Sequence, residues 1–174
     1  MVLKFKRLHL FQQMKEREYQ MLTRQRAIDE VTGRQPNLAY ILFDGMTVYS
    51  GNTPKVGGGY FRKGKKDTVY VTNRVIGVEV ACGPIQKVYL YHTDDFVGGG
   101  ANTMIEVLRT AISDLASDLH KEGLSLPRNL ALQLDNCGEN KNKVMFSFLS
   151  LLIESHIFDT IHANFLIVGH THNY

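Results

Sequence analysis

The order of the apolar segments constrains the fold of this chain more than any other feature of its sequence. Three β-rich segments, a helical segment, a short strand, a second helical segment and a last strand follow one another, at residues 38–48, 68–81, 86–92, 103–119, 130–134, 143–155 and 160–168. Short turns between the first three strands favour an antiparallel meander, whereas strands that are joined through helices favour parallel pairing. The order therefore predicts an α/β domain with one mixed sheet.

Two signals define the central helix. Thr103-x-x-Glu106 is a capping-box pattern, so we expect the helix to begin at Thr103. Apolar residues then recur at helical spacing, at Met104, Val107, Leu108, Ala111, Ile112, Leu115 and Leu119. Gly123 and Pro127 end the segment. The stripe predicts that one face of this helix packs on the sheet.

The N-terminal segment, residues 1–37, differs from the rest of the chain. It is rich in good helix formers between Leu8 and Ile28. It holds eight Lys and Arg residues against four Asp and Glu residues. We therefore predict a basic helical segment over 1–37, followed by the α/β core over 38–174.

The composition is that of an ordinary globular protein. An apolar fraction of 44% and a charged fraction of 21% argue against disorder, and 174 residues suffice for one domain. Cys82 and Cys137 show no paired spacing, which argues against a zinc ribbon and favours a reducing setting. Neither a signal peptide nor a membrane-spanning stretch is visible. We expect an intracellular protein, and a nuclear one if it acts on DNA.

Two acidic residues stand in apolar surroundings where a carboxylate needs a partner. Asp44 lies inside the strand-like segment ILFDGMTV, and Asp135 directly follows the buried-looking strand LALQL. Such a carboxylate is costly to bury unless it meets an Arg side chain, backbone N–H groups or a metal ion. In open α/β sheets, ligands bind at the carboxyl ends of the strands. The alternative is a purely structural role, in which each aspartate is a cap or turn residue.

A topology in which the first strand lies beside the fourth would bring Asp44 and Asp135 together. Two facing carboxylates repel each other, and a divalent cation removes that repulsion. Hard oxygen ligands favour Mg²⁺ or Mn²⁺. Two such ions about 3.5–4 Å apart can activate a water or hydroxyl and stabilise the leaving oxygen in phosphodiester cleavage.

The chain also carries Gly169-His170-Thr171-His172 after its last apolar segment. Alternate histidines can both reach one metal ion, and this motif occurs as the closing motif of binuclear metallophosphoesterases. That family also needs Asp-x-His after its first strand and Gly-Asn-His later, whereas this chain has Asp44-Gly45-Met46 and no Gly-Asn-His. A metallophosphoesterase-like hydrolase is therefore a second alternative that rests on the histidine motif alone.

A glycine-rich basic segment at 51–66 is a candidate contact for nucleic acid. Its last basic residues are Arg62, Lys63, Lys65 and Lys66. Clustered Lys and Arg side chains bind phosphate groups. The same composition is equally typical of a solvated hairpin, so both interpretations stay open.

Several motifs of this chain occur together in a known group of proteins. They are Phe43-Asp44-Gly45, Gln133-x-Asp135-Asn136, Glu139-Asn140-Lys141 and Gly169-His170-Thr171-His172, with Arg17-Glu18-Tyr19 as an approximate upstream element. With them the chain resembles a transposon-associated family of eukaryotic domains whose function is uncharacterised. That family resembles the RNase H-like transposases and integrases, which use a DDE or DDD carboxylate triad.

The resemblance implies an RNase H-like mixed sheet of three antiparallel strands followed by helix, strand, helix and strand, with a preceding N-terminal helix. It implies that Asp44 and Asp135 are catalytic ligands of Mg²⁺ or Mn²⁺. The remaining motif residues have no assigned role; they are Gln133, Asn136, Glu139, Asn140, Lys141, His170 and His172. In the family another Asp follows the histidine motif, so we expect a third acid beyond Tyr174 and a core that is incomplete at its C-terminus.

The function that this resemblance implies is a transposase-derived, metal-dependent nuclease or DNA strand transferase, inactive or incomplete as this fragment. If active, it would cleave phosphodiesters by a two-metal mechanism, with DNA as its partner. The main alternative is a non-catalytic domain that keeps the fold and binds nucleic acid or protein.

Overall fold

A computed structural model describes the backbone over residues 2–45, 53–54, 70–71, 74–93, 100–135, 137–138 and 140–165. Side chains are described over residues 11–43, 75–92, 100–135, 137–138 and 140–165. The helices in these ranges are α1 (Val2–Asp29), α2 (Ala101–Lys121) and α3 (Lys143–Glu154). The strands are β1 (Val31–Thr32), β2 (Gln35–Pro36), β3 (Leu38–Gly45), β4 (Thr53–Pro54), β5 (Tyr70–Val71), β6 (Arg74–Cys82), β7 (Ile85–Thr93), β8 (Asn129–Leu134) and β9 (Thr160–Phe165).

Five strands form one mixed sheet in the order β7-β6-β3-β8-β9. β6 lies antiparallel to both β3 and β7, whereas β8 lies parallel to both β3 and β9. The predicted mixed sheet, an antiparallel meander followed by parallel strands that are reached through helices, is confirmed. Since β3 and β8 are neighbours, the first long strand lies beside the fourth. The pairs β1–β2 and β4–β5 are separate from this sheet.

Side-chain alternation gives the sheet two different faces. One face packs on α2 and α3, with Phe43 of β3 and Leu134 of β8 in the main core. All seven apolar residues of the predicted α2 stripe are buried, which confirms its orientation towards the sheet. The opposite face carries a smaller cluster in which Ala27 of α1 meets Tyr40 and Ala131. The core on the α2 and α3 face therefore fixes the positions of β3 and β8.

The first helix, α1, spans 28 residues and begins at Val2, six residues before the stretch of good helix formers that starts at Leu8. Its C-terminal part docks on the sheet, where Ala27 is fully buried and Arg24 Nε lies 2.6 Å from Glu79 Oε1 on β6. Phe11, four turns back along the helix, is exposed. In the described part of the chain, no helix combines the length and the apolar character needed to cross a membrane.

The start of α2 differs from the prediction. The helix begins at Ala101, and its N-cap is Gly100, which has φ 122° and ψ −174° and makes no side-chain capping bond. Thr103 lies in the first turn and is buried, so the predicted capping box is wrong. The physical reason is the glycine: without a Cβ it adopts a conformation that turns the chain into the helix before Thr103 is reached.

Candidate functional site

The pairing of β3 with β8 governs where Asp44 and Asp135 stand. The backbone of Asp44 lies in β3 and pairs with Gly77 of β6. On its other side β3 pairs with β8 in parallel. The register of this pairing ends with Leu42 opposite Gln133. Asp44 lies two residues beyond Leu42, and Asp135 lies two residues beyond Gln133 and directly after β8. Continuing the register therefore sets positions 44 and 135 opposite each other. Because the Asp44 side chain lies outside the described ones, the carboxylate separation stays a prediction.

Asp135 opens a polar loop that leads into α3. Its Oδ1 accepts a hydrogen bond from the backbone N–H of Cys137 at 3.3 Å and a second one from the side-chain amide of Asn140. The backbone N–H of Lys141 in turn donates to the Cys137 carbonyl at 2.9 Å. Asn142 closes the loop as the N-cap of α3, where its Oδ1 accepts from Met145 N at 2.9 Å. The loop thus holds the Asp135 carboxylate in one orientation.

Among the described residues of this loop, Asn140 is the most buried polar one, with 2% of its surface exposed. Its amide nitrogen donates to Asp135, but its Oδ1 is buried with no hydrogen-bond partner in the described part of the chain. A buried acceptor without a donor costs about 1–3 kcal/mol. An amide oxygen beside a carboxylate is a donor set that fits a hard divalent cation. Among the residues whose side chains are described, no group of three His, Cys, Asp or Glu is arranged around a metal position.

Gln133 is a motif residue with a structural contact. It is 2% exposed, and its side chain exchanges hydrogen bonds with Asn164 of β9. Asn164 Nδ2 donates to Gln133 Oε1 at 2.8 Å, and Gln133 Nε2 donates to the Asn164 carbonyl at 3.3 Å. The two hydrogen bonds between Gln133 and Asn164 link β8 to β9 two residues before Asp135. Asn164 could not be predicted from the sequence, since an isolated Asn in an apolar strand carries no signal of its partner.

Lys141 contributes to the packing behind the loop. Its ammonium lies 5.5 Å from the centroid of the Phe165 ring, and that ring meets Phe146 of α3 in an edge contact at 5.8 Å. A cation over an aromatic face is a favourable contact. Lys141 therefore ties the loop to the end of β9.

Several predicted site residues lie outside the described residues. They are Asn136, Glu139, His170, His172, Arg62, Lys63, Lys65 and Lys66. Their roles stay predictions.

A cavity of about 280 Å³ lies at the opposite end of the parallel strands, between α1 and the starts of β8 and β9. Its polar lining is largely paired: Arg26 bonds to Glu30 at 2.8 Å, and Asn129 Oδ1 accepts from the Thr160 hydroxyl at 2.6 Å. Those pairs satisfy each other, so this cavity offers a ligand few open hydrogen-bonding groups.

Fold and site together define an α/β domain with a polar, carboxylate-centred loop at the carboxyl end of β8. Residues 63–174 match the model of a family described as a domain of unknown function, DUF7869, which is more than half of the chain. The protein belongs to this family.

Two further comparisons accompany that match. Among solved structures, the crystal structure of the Mos1 strand transfer complex is similar, with 11% sequence identity and a TM-score of 0.34. The similarity covers 73% of this chain and 33% of that chain, so this chain spans about a third of the other protein's length. No curated protein matches the sequence.

Proposed function

We propose that this domain is an RNase H-like, transposase-derived nuclease core in which Asp44 and Asp135 together bind Mg²⁺ or Mn²⁺ and direct phosphodiester cleavage in DNA. The observation that supports this most is the parallel pairing of β3 with β8. Its register, continued by two residues, matches position 44 with position 135 at the ends where α/β sheets bind ligands. The motifs shared with a transposon-associated family are the second support.

The proposed chemistry divides between the cation and the chain. A divalent cation would activate the attacking water or hydroxyl and neutralise charge on the leaving oxygen. The chain's own contribution is orientation. Asn140 and the Cys137 N–H hold Asp135 by its Oδ1. Those bonds fix the direction of the second carboxylate oxygen before any ligand arrives, which reduces the ordering cost of binding.

The rest of the proposed site involves residues beyond those described. Arg62, Lys63, Lys65 and Lys66 would bind the DNA phosphates by ion pairs that weaken with salt.

A second candidate function is favoured by one specific observation. The hydrogen bond from Cys137 N–H to Asp135 Oδ1 is also that of an aspartate that stabilises a turn. If this is the entire role of Asp135, the domain keeps the fold without the chemistry. It then binds nucleic acid or protein without cleaving it.

A cleavage assay distinguishes these two functions. Supercoiled plasmid DNA is incubated with the full chain and Mg²⁺ or Mn²⁺, and nicked and linear products are counted against a chelator control. The nuclease proposal predicts metal-dependent nicking that Asp44→Asn and Asp135→Asn each abolish. Asp159→Asn, an exposed Asp beside the start of β9, should cleave as the wild type does. DNA binding without nicking, unchanged in all three variants, would favour the non-catalytic function.

A further inference from the structure

The outer edge of β7 offers a long strand for pairing. β7 runs over nine residues, Ile85–Thr93, and is an end strand of the sheet that the described residues form. It pairs with β6 through all nine without interruption, so no bulge twists it away from a neighbour. Edge strands are commonly protected by proline, by bulges or by charged side chains. The sequence of β7, IQKVYLYHT, has no proline and one lysine.

The exposed face of β7 is apolar. Val88 is 63% exposed and Leu90 is 72% exposed, among the largest exposures of any hydrophobic residue described. Both side chains lie on the face opposite α2. The residues between and after them, Tyr89 and Tyr91, point to α2, where their hydroxyls donate to Asp118 and Asp114. The core of this chain therefore does not require apolar residues at Val88 and Leu90.

We propose that β7 pairs antiparallel with β7 of a second copy of this chain, about a two-fold axis at Tyr89. This interface joins the two five-stranded sheets into one continuous sheet. Its existence does not depend on the proposed nuclease function. A two-fold axis normal to the sheet keeps equivalent faces together, and it centres the pairing on the midpoint of the nine-residue strand.

The register follows from the side chains. With Tyr89 at the axis, Val88 of each copy stands directly opposite Leu90 of the other, which gives two apolar cross-strand pairs on one face. An axis at Val88 would set Leu90 against Gln86, and an axis at Leu90 would set Val88 against His92. The axis at Tyr89 matches apolar residues with apolar residues.

Charge on the other face agrees with this register. Lys87 of one copy stands opposite Tyr91 of the second copy, and the Tyr91 hydroxyl lies 2.7 Å from Asp114 of its own chain. Lys87 is half-exposed and already meets an acid, Asp118, at 2.6 Å. In the dimer each positively charged Lys87 thus comes near two carboxylates, Asp118 of its own chain and Asp114 of the second copy.

Sedimentation velocity of the full chain over a range of concentrations tests the interface. We expect the mass to rise from 19.7 kDa to twice that value as concentration increases. Leu90→Lys should remain monomeric at every concentration, because its charge would face Val88 of the second copy. The matched control is Leu151→Lys at another exposed leucine, on α3 (58% exposed against 72% for Leu90), which should dimerise as the wild type does. Circular dichroism checks that both variants are folded.

Cysteine pairing tests the register. In a background with Cys137→Ser, Val88→Cys and Leu90→Cys chains are oxidised mildly, separately and after mixing. Burial raises the pKa of the Cys82 thiol to about 12, so that residue stays unreactive. We expect the mixed chains to cross-link several-fold faster than either alone, since positions 88 and 90 are directly opposed.

Two results overturn the proposal. A wild type that stays monomeric at every concentration excludes self-pairing and leaves the edge to a strand of a different protein. A dimer that survives Leu90→Lys, or that cross-links no faster on mixing, uses another surface or another register.

Discussion

At the scale of single residues, the proposed site depends most on the hydrogen bond that the Asn140 side-chain amide donates to Asp135 Oδ1. We expect Asn140→Asp to lower the free energy of unfolding by about 1–3 kcal/mol in a chelator, because it sets a second carboxylate beside Asp135 at a buried position. Mn²⁺ should stabilise this variant more than the wild type, since the second carboxylate is a stronger ligand than an amide. Urea denaturation with chelator and with Mn²⁺ measures both effects.

Asn140→Ala is the matched control for that prediction. It loses the bond to Asp135 and gains no ligand, so Mn²⁺ should stabilise it no more than it stabilises the wild type. If Mn²⁺ stabilises the Asp and Ala variants equally, the side chain at position 140 does not contact the cation.

A second residue-scale prediction concerns pH. Hydrogen bonds from Lys87, Lys121 and Tyr89 hold the pKa of Asp118 well below its usual value. A lowered pKa in the folded state contributes stability that is present above the unfolded value of about 3.8 and is lost as the pH falls below it. The wild type should therefore exceed Asp118→Asn in stability at about pH 6, and the gap should narrow below about pH 4. A gap that is constant across this range in urea denaturation would show that the charge of Asp118 is not the cause.

At the scale of elements, the β6–β7 turn depends on Gly83. This residue has φ +53°, and its N–H donates to the Ala27 carbonyl of α1 at 2.8 Å. A Cβ at this position would lie 3.3 Å from Pro36 Cβ. We expect Gly83→Ala to lower the free energy of unfolding by about 1–2 kcal/mol from the backbone alone, and further from the contact with Pro36.

Gly123→Ala separates the two causes. Gly123 has φ +72° and no atom within 4 Å of an added Cβ, so its substitution tests backbone strain alone. Chemical denaturation should rank Gly83→Ala as the more destabilising of the two. An equal decrease in the free energy of unfolding of the two variants would mean that Pro36 moves aside at no cost in stability.

The elements also show what a sequence can predict. Periodicity identified α2, β8 and the meander, because a stripe or an apolar run reports directly on burial. The start of α2 could not be predicted from Thr103, since the backbone angles of Gly100 decide it. The same limit applies to the pair Gln133 and Asn164, which meet through the parallel pairing of β8 with β9 and are 31 residues apart.

At the scale of the whole molecule, the proposed site depends on long-range register rather than on any local motif. Asp44 and Asp135 belong to strands that the meander and α2 separate in sequence and that the sheet makes neighbours. The resemblance to RNase H-like sheets implied that these two strands are neighbours, and the order of elements alone did not. The loop contacts of Asp135 with Asn140 were not predicted, because a motif identifies residues without giving their partners.

The central claim is that Asp44 and Asp135 share a divalent cation. The most direct test is a Mn²⁺ titration in which electron paramagnetic resonance measures the free ion. The account predicts that the wild type and Asp159→Asn bind Mn²⁺ alike. Asp44→Asn and Asp135→Asn should each bind much more weakly, and the double variant should lose little more than either single one, because the two carboxylates serve one site. Binding by Asp44→Asn and Asp135→Asn that equals wild-type binding, or no binding by the wild type, would contradict the claim.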